Sequence, residues 1–265
     1  MKKYLSYFKL RFNTSLEYRE AAIAGIVTQF FWGIMQIMIF RAFYKNGVET
    51  EISLNELVTL IWLRQAFYGI SSWSVDSEIS RMIEKGNIAY ELCRPMNLYW
   101  TWFFKTISTR LAATLLKFSP IIIISILLPK GYSLLPPASV VSFVLYLIAL
   151  SLSIFVVAGI INLVYISFFY TISSKGSAAL FYAVASFFAG NQIPIPLMPR
   201  GLQVICYILP FGIISDLPNR VWSGNIGVQG ALIGIGIQLI WICILVCIGN
   251  LLMKKSLKKV VVQGG

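Results

Sequence analysis

The chain has 265 residues, of which 58% are hydrophobic and 12% are charged. Soluble domains carry about a quarter charged residues, so this composition excludes a soluble globular protein. Apolar runs long enough to cross a bilayer as helices recur along the chain, and strands of alternating polarity are not seen. The composition therefore predicts an all-α polytopic membrane protein.

The formal net charge of +12 is compatible with nucleic-acid binding or with a membrane-topology signal. The Lys and Arg residues fall at the ends of apolar segments, which is typical of topology signals. We therefore expect membrane lipid, and no nucleic acid, among the partners of the chain.

Residues 1–19 interleave apolar side chains with Lys9, Arg11 and Arg19. This pattern is typical of a basic amphipathic helix that lies on the membrane surface. The segment lacks the uninterrupted apolar core and small-residue cleavage site of a signal peptide, so we expect it to be retained.

The rest of the chain is predicted to continue one transmembrane domain, residues 1–265, with six membrane-spanning helices. The predicted spans are residues 20–44, 54–75, 106–128, 138–172, 177–193 and 227–253.

Residues 76–105, between the second and third spans, are too polar to cross a bilayer. Gly86 is placed to end a short helix, and Arg94-Pro95 to end a second one. The segment could also be an ordinary solvated loop whose charges only enforce topology. Its last aromatic residues, such as Tyr99 and Trp102, could equally form the aromatic belt of the third span.

Three prolines within six residues, Pro194, Pro196 and Pro199, follow the fifth span, and a straight helix cannot continue through them. The next apolar stretch, residues 202–214, is shorter than the roughly 20 residues that a crossing needs. It fits a short re-entrant or interfacial helix better than a span.

Orientation follows from the distribution of the 22 Lys and Arg residues. Six crossings place both termini on one side, and that side holds fifteen of these residues, against five on the opposite side and two, Arg64 and Lys117, inside spans. Because cytoplasmic loops are enriched in Lys and Arg, both termini are predicted to be cytoplasmic.

Several kinds of chemistry are absent from the sequence. It has no histidine, so a His base, a His-ligated metal or a Ser/His/Asp triad cannot be built. Cys243 and Cys247, four apart on the last span, could in geometry share a metal, but no histidine or nearby acid completes such a site. The phosphate-binding pattern Gly-x-x-x-x-Gly-Lys-Ser/Thr is also missing. We expect no catalytic residue, cofactor or metal on this chain, so any dependence on ATP must come from a partner.

Two other classes of membrane protein remain as alternatives. A membrane-embedded enzyme needs clustered carboxylates or histidines, and the outer acids Glu49, Glu51, Glu56 and Asp216 are not clustered in sequence. An ion-coupled secondary transporter normally has an acid within a span, and no predicted span carries one at its centre.

Two cations lie near the middle of predicted spans, well away from the span ends. Arg64 is near the middle of its span, where a charge costs at least ~2.5 kcal/mol, and Lys117 lies one heptad after Arg110. Arg64 and Lys117 could line a translocation path for anionic or amphiphilic cargo. They could equally pair with structural groups such as Gln29 and Gln36, or with an acid on a second permease.

The loop EKGNIAYELCRPMNLYW, together with the amphipathic start, six spans, the outer GNQIP motif and Pro210-Phe211, resembles permease subunits of type-2 ABC exporters. The loop is close to the pattern G-(D/N)-I-A-x-x-L-x-R-P of one bacterial branch. The resemblance implies a multi-pass protein of the bacterial cytoplasmic membrane that exports a hydrophobic or amphiphilic cargo, such as a drug, peptide or lipid. It also implies a second permease, identical or paralogous, and two cytoplasmic ABC ATPase subunits that hold ATP and Mg.

By the same resemblance, residues 76–105 contain the coupling helix and residues 190–220 form an outer re-entrant helical hairpin, the cap. The implied ATPase-coupling residues are Arg81, Glu84, Lys85, Gly86, Asn87 and Arg94. The implied cap residues are Gly190, Pro194, Pro196, Pro199, Pro210 and Phe211.

Overall fold

The computed structural model describes residues 2–45, 52–171 and 174–258. Within these ranges the protein is all-α and has no strand, as predicted. In chain order the helices are α1 Lys2–Leu16, α2 Arg19–Lys45, α3 Leu54–Ala66, α4 Tyr68–Ser71, α5 Ser77–Glu84, α6 Ile88–Leu92, α7 Leu98–Leu127, α8 Val140–Ser167, α9 Ser174–Phe188, α10 Arg200–Ile208, α11 Gly212–Ser223 and α12 Gly227–Leu257, with a 3-10 turn at Ile195–Leu197. Glu49, Glu51 and the predicted end of the fourth span at residue 172 lie outside the described residues.

Among the described residues, four helices are long and apolar enough to cross a membrane: α2, α7, α8 and α12. Helices α10 and α11 count as a fifth only if they form one broken span, since their axes differ by 107°. The fold is therefore that of a multi-pass helical membrane protein with four or five candidate spans.

The second and fifth predicted spans, residues 54–75 and 177–193, are not single long helices. Helix α3 ends at Ala66 and only the one-turn α4 follows Phe67. Helix α9 has 15 residues, which reach about 22 Å, less than the roughly 30 Å of hydrocarbon in a bilayer. Six crossings therefore stay a prediction.

Helix α7 begins earlier than predicted. Residues 98–105, assigned above to the polar segment, form its first two turns, because the Asn97 side chain caps the helix by accepting a hydrogen bond from the Trp100 backbone N–H. Tyr99 and Trp102 are buried against the core. These two rings therefore pack inside the protein and do not form an aromatic belt.

Helix α1 packs along α7. The Tyr4 and Phe104 rings stack with centroids 5.8 Å apart, and the Tyr4 hydroxyl accepts a hydrogen bond of 2.9 Å from the Asn97 backbone N–H. The predicted amphipathic segment is therefore attached to the start of a candidate span.

Helix α8 lies at the centre and contacts α7, α11 and α12. The buried Gln238 of α12 ties this region together, since its side-chain amide donates to the carbonyls of Ala149 in α8 and Ile213 in α11, at 3.1 and 2.9 Å. Close approach of α12 to α7 is possible because Gly249 leaves room for the Tyr99 ring.

Residues 202–214 of the predicted cap are not the single short helix that we expected from the sequence. The apolar stretch 202–214 is split at Leu209–Phe211 into the end of α10 and the start of α11. Pro210 lies in the break, where its missing N–H removes a helical hydrogen bond. The Phe211 ring contacts Trp73 and Phe181, at centroid distances of 5.4 and 6.5 Å. The bend is thus inserted between α9 and the segment that follows α4.

Candidate functional site

Helix α5 and the turn after it are fixed by local sequence signals. The Asp76 carboxylate caps α5 by accepting a 2.7 Å hydrogen bond from the Glu78 backbone N–H. Lys85 ends the helix, and Gly86 follows with φ +69°, a left-handed conformation that favours glycine. Helix α6 begins after Asn87 and ends two residues before Arg94.

Four helices meet at a buried lysine beside α5. The Lys105 side chain is 4% exposed and its Nζ lies 2.8 Å from Asp76 and 2.7 Å from Glu78. Arg11 of α1 pairs with Glu78 at 3.2 Å, and the Asp76 backbone N–H donates to the Tyr165 hydroxyl of α8 at 2.9 Å. These contacts join α1, α5, α7 and α8.

The charges in this cluster stabilise one another. Partial burial alone would raise the pKa of the Glu78 carboxyl, but the hydrogen bond and charge of Lys105, together with those of Arg11, outweigh that effect and lower it. The sequence did not indicate this cluster, because Lys105 is 27 residues away from Glu78 along the chain.

The predicted ATPase-coupling residues lie on the solvent-exposed side of the α5–α6 segment. Arg81, Glu84, Lys85, Asn87 and Arg94 are exposed and Gly86 is partly exposed. On the inner side, two isoleucines are buried in the core, namely Ile79 and Ile88. The segment therefore presents charge outward while its apolar side holds it in place.

Glu84 has a second contact that the sequence did not predict. Its carboxylate accepts a short hydrogen bond from the hydroxyl of Ser174, the buried first residue of α9. The end of α5 is thus linked directly to α9, in addition to the helices that meet at Lys105.

A polar cavity of about 540 Å³ lies between α4, α7 and α8, and we call it the inner cavity. Arg110 and Lys117 of α7 line it, as do Tyr68 and Asp76. The Arg110 guanidinium donates to the backbone carbonyls of the segment after α4. The accepting residues are Gly69, Ile70, Ser72 and Ser74.

These bonds explain why residues 54–75 are not one straight helix. A continuous helix would use the same carbonyls internally, whereas the broken segment turns them toward Arg110.

A second polar cavity, of about 260 Å³, lies between α2, α3 and α9, and we call it the outer cavity. Amide side chains dominate its lining, namely Gln29, Gln36, Gln65, Asn191 and Gln192. Arg64 also lines it, is 6% exposed, and donates a short hydrogen bond to the Gly190 carbonyl. Its Nε and Nη2 make no hydrogen bond to any part of the chain that the structure describes.

The two predicted path residues lie in different cavities. Lys117 is in the inner cavity and Arg64 in the outer one, and Tyr68 lines both. The Tyr68 hydroxyl interacts electrostatically with Tyr182 of α9. The structure therefore places a pair of tyrosines where the cavities meet.

The suggested structural partners of Arg64 are not its hydrogen-bond partners. Gln36 instead accepts a hydrogen bond from Gln65 at 3.4 Å, and Arg64 binds a backbone carbonyl. Asp216 of α11 interacts with Arg64 electrostatically.

A comparison with protein families identifies the chain. The family profile described as ABC-2 family transporter protein matches residues 30–264. The chain belongs to the ABC-2 transporter family. This match covers the whole inner cavity, the outer cavity except Thr28 and Gln29, and the whole segment from α5 to α6. These features therefore belong to an ABC-2-type permease, the membrane component of a transporter. A comparison with the curated proteins finds no match.

In the permease, the predicted cap is shaped by a turn at its glycine and prolines and by a cluster of hydrogen bonds across its bend. Gly190 has φ +74° and lies against Ile195, while Pro194, Pro196 and Pro199 flank or form the 3-10 turn and the start of α10. Across the bend, the Tyr207 hydroxyl donates to Asp216 at 3.0 Å and accepts from Arg220 at 2.8 Å. This polar cluster joins α10 to α11 and was not indicated by the sequence.

No metal site is evident in the described part of the permease. Its Cys, Asp and Glu side chains form no group of three or more that could hold a metal ion.

Proposed function

We propose that this permease is the membrane subunit of an ATP-driven exporter that moves a hydrophobic or amphiphilic cargo out of the cytoplasm. Two separate cytoplasmic ABC ATPase subunits, which bind ATP and Mg, supply the energy. A second permease, identical or paralogous, completes the transporter in the bacterial cytoplasmic membrane.

One observation carries the proposal: the α5–α6 segment is charged and exposed on one side and fixed to several helices on the other. Its solvent-exposed residues, such as Arg81 and Lys85, are available to an ATPase. Its inner contacts connect it to α7 through Lys105 and to α9 through Ser174. A displacement of the segment would therefore move both helices.

Those two helices form walls of the cavities. Helix α7 carries Lys117 of the inner cavity, and α9 carries Tyr182 of the outer cavity. We infer that a push on α5 changes the spacing of α4, α7 and α9, and so opens or closes the junction at Tyr68 and Tyr182. This is alternating access between two cavities, driven from the α5–α6 segment.

The positive-inside rule sets the direction of this scheme. Both termini and the α5–α6 segment are on the cytoplasmic side in the proposed orientation. The inner cavity, next to Asp76, then opens toward the cytoplasm, and the outer cavity, next to Asn191, lies below the cap.

Co-purification tests the proposed function. The full-length tagged permease, extracted in mild detergent from its native cells, is expected to retain an ABC ATPase whose hydrolysis depends on the permease. A matched preparation of the Gly86→Pro variant, which removes a backbone N–H and the left-handed turn, is expected to lose most of that ATPase. An ATPase-free permease that transports unaided would contradict the proposal.

A further inference from the structure

The charge balance of the inner cavity is positive. Its lining has two cations, Arg110 and Lys117, and one acid, Asp76. The Asp76 carboxylate is already paired with Lys105 at 2.8 Å. The cavity therefore attracts anions.

The two cations differ in what they bind. Arg110 donates to four backbone carbonyls, so its guanidinium has a structural role. Lys117 makes no hydrogen bond or ion pair with any described residue. A lysine ammonium has three donors and is strongly hydrated, so leaving it partly buried without a partner costs free energy. A ligand that pairs with it would recover that cost.

The surroundings of Lys117 leave space for such a ligand. Lys117 lines the inner cavity, which supplies this space, and its ammonium packs closely against Gly25 of α2, where an added Cβ would be only 2.5 Å from Nζ. Apolar side chains, Val75 and Ala113, also line the inner cavity. An anionic headgroup that pairs with Lys117 would thus have apolar lining beside it for the start of an alkyl chain. The volume of about 540 Å³ is within the usual range for small-molecule sites.

We propose that the inner cavity binds the anionic headgroup of an amphiphile and that Lys117 is the residue that pairs with it. This inference rests on the proposed function for its meaning in transport, because it names the class of cargo. Phosphate and carboxylate headgroups share the required chemistry, whether they come from a membrane lipid or from another amphiphile.

The experiment uses the full chain in phosphatidylcholine nanodiscs. The two probes are photoreactive derivatives of dodecyl phosphate and of dodecyltrimethylammonium, with the same photoreactive alkyl chain. The dissociation constant is taken from the labelled fraction, and the labelled peptide is mapped by mass spectrometry. Dodecyl phosphate is expected to label α7 or the neighbouring α2 and α4, and the cationic probe is not. Lys117→Met is expected to weaken phosphate binding about tenfold or more, and Lys117→Arg to retain it.

Controls separate this site from the general positive charge of the protein. Lys130→Met removes an exposed lysine outside the cavity and is expected to bind dodecyl phosphate as the wild type does. Nanodiscs that contain phosphatidylglycerol test the source of the headgroup: competition with the probe indicates a membrane lipid, and its absence indicates another anionic amphiphile. Both results support an anionic site.

Equal binding of the two probes by the wild type would overturn the inference, as would unchanged affinity in Lys117→Met. The probe comparison needs no variant, so it holds even if Lys117→Met fails to fold. Failure of the proposed function is distinguishable, because the permease would then bind dodecyl phosphate at this site without any associated ATPase.

Discussion

Lys105 has the most consequential side chain at the residue scale, since one buried ammonium holds two carboxylates that belong to a helix cap. Asp76 caps α5 and Glu78 lies in its first turn, so both charges also suit the positive end of the helix. Removing the lysine would leave Asp76 without its salt bridge and Glu78 with Arg11 as its one remaining salt-bridge partner among the described residues. The position of α5 therefore depends on one residue of α7.

The variant Lys105→Met tests this dependence. We expect it to lower the free energy of unfolding by about 2 kcal/mol, less than for a fully buried pair because Glu78 is partly exposed. Thermal unfolding in detergent measures the loss, and hydrogen exchange of α1 and α5 is expected to rise. Lys130→Met should change stability by less than about 0.5 kcal/mol. Equal stability of the two variants would contradict the role assigned to Lys105.

The sequence identified Arg64 and Lys117 as unusual but could not separate their roles. A charged side chain in an apolar run requires a polar partner, and the identity of that partner decides whether the side chain has a structural or a transport role. Arg64 binds the Gly190 carbonyl, which is 126 residues away and is presented by a left-handed turn. Periodicity within a helix carries no information about such a backbone partner, so both alternatives had to stay open.

At the element scale, the helices that sequence signals locate best are those with local caps. Gly86 after α5 and the prolines before α10 act within a few residues, and the structure has helix ends at these positions. The predicted start of the third span was wrong, since α7 begins eight residues earlier, and the break after α3 was not predicted. The start of α7 has a local cap at Asn97, but Tyr99 and Trp102 also fitted an aromatic belt until the structure showed them buried in the core. The break after α3 depends on Arg110, which is about 40 residues away from the carbonyls it binds.

Two glycines of α12 provide a matched test of helix packing. A methyl group at Gly249 would lie 2.9 Å from the Tyr99 hydroxyl oxygen, whereas one at Gly236 would meet nothing within 4 Å. Because the Tyr99 ring is fully buried, we expect Gly249→Ala to cost about 1–3 kcal/mol. Gly236→Ala should be neutral or slightly stabilising. Melting temperatures in detergent measure the difference, and similar values for both variants would show that α12 does not pack closely on Tyr99.

For the whole molecule, composition alone predicted the all-α membrane class, because apolar runs and scarce charge leave few other folds. The family assignment agrees with the resemblance at the loop from Glu84 to Trp100. The number of crossings was harder to predict, since broken and short helices are as apolar as membrane spans but lack the continuous length that a crossing needs. The same breaks make the cavities, so the least predictable segments surround the candidate site.

The central claim is that ATP binding on a partner acts through α5 on the helices around Tyr68 and Tyr182. The most direct measurement is the distance between spin labels at Thr28→Cys and Leu180→Cys, in a reconstituted complex whose native cysteines have been replaced. We predict that ATP with vanadate changes this distance. Glu84→Ala, which removes the contact with Ser174, is expected to abolish the change. Glu17→Ala, at an exposed acid outside the α5–α6 segment, is expected to retain it. An unchanged distance in the intact complex, or a normal response in Glu84→Ala, would contradict the account.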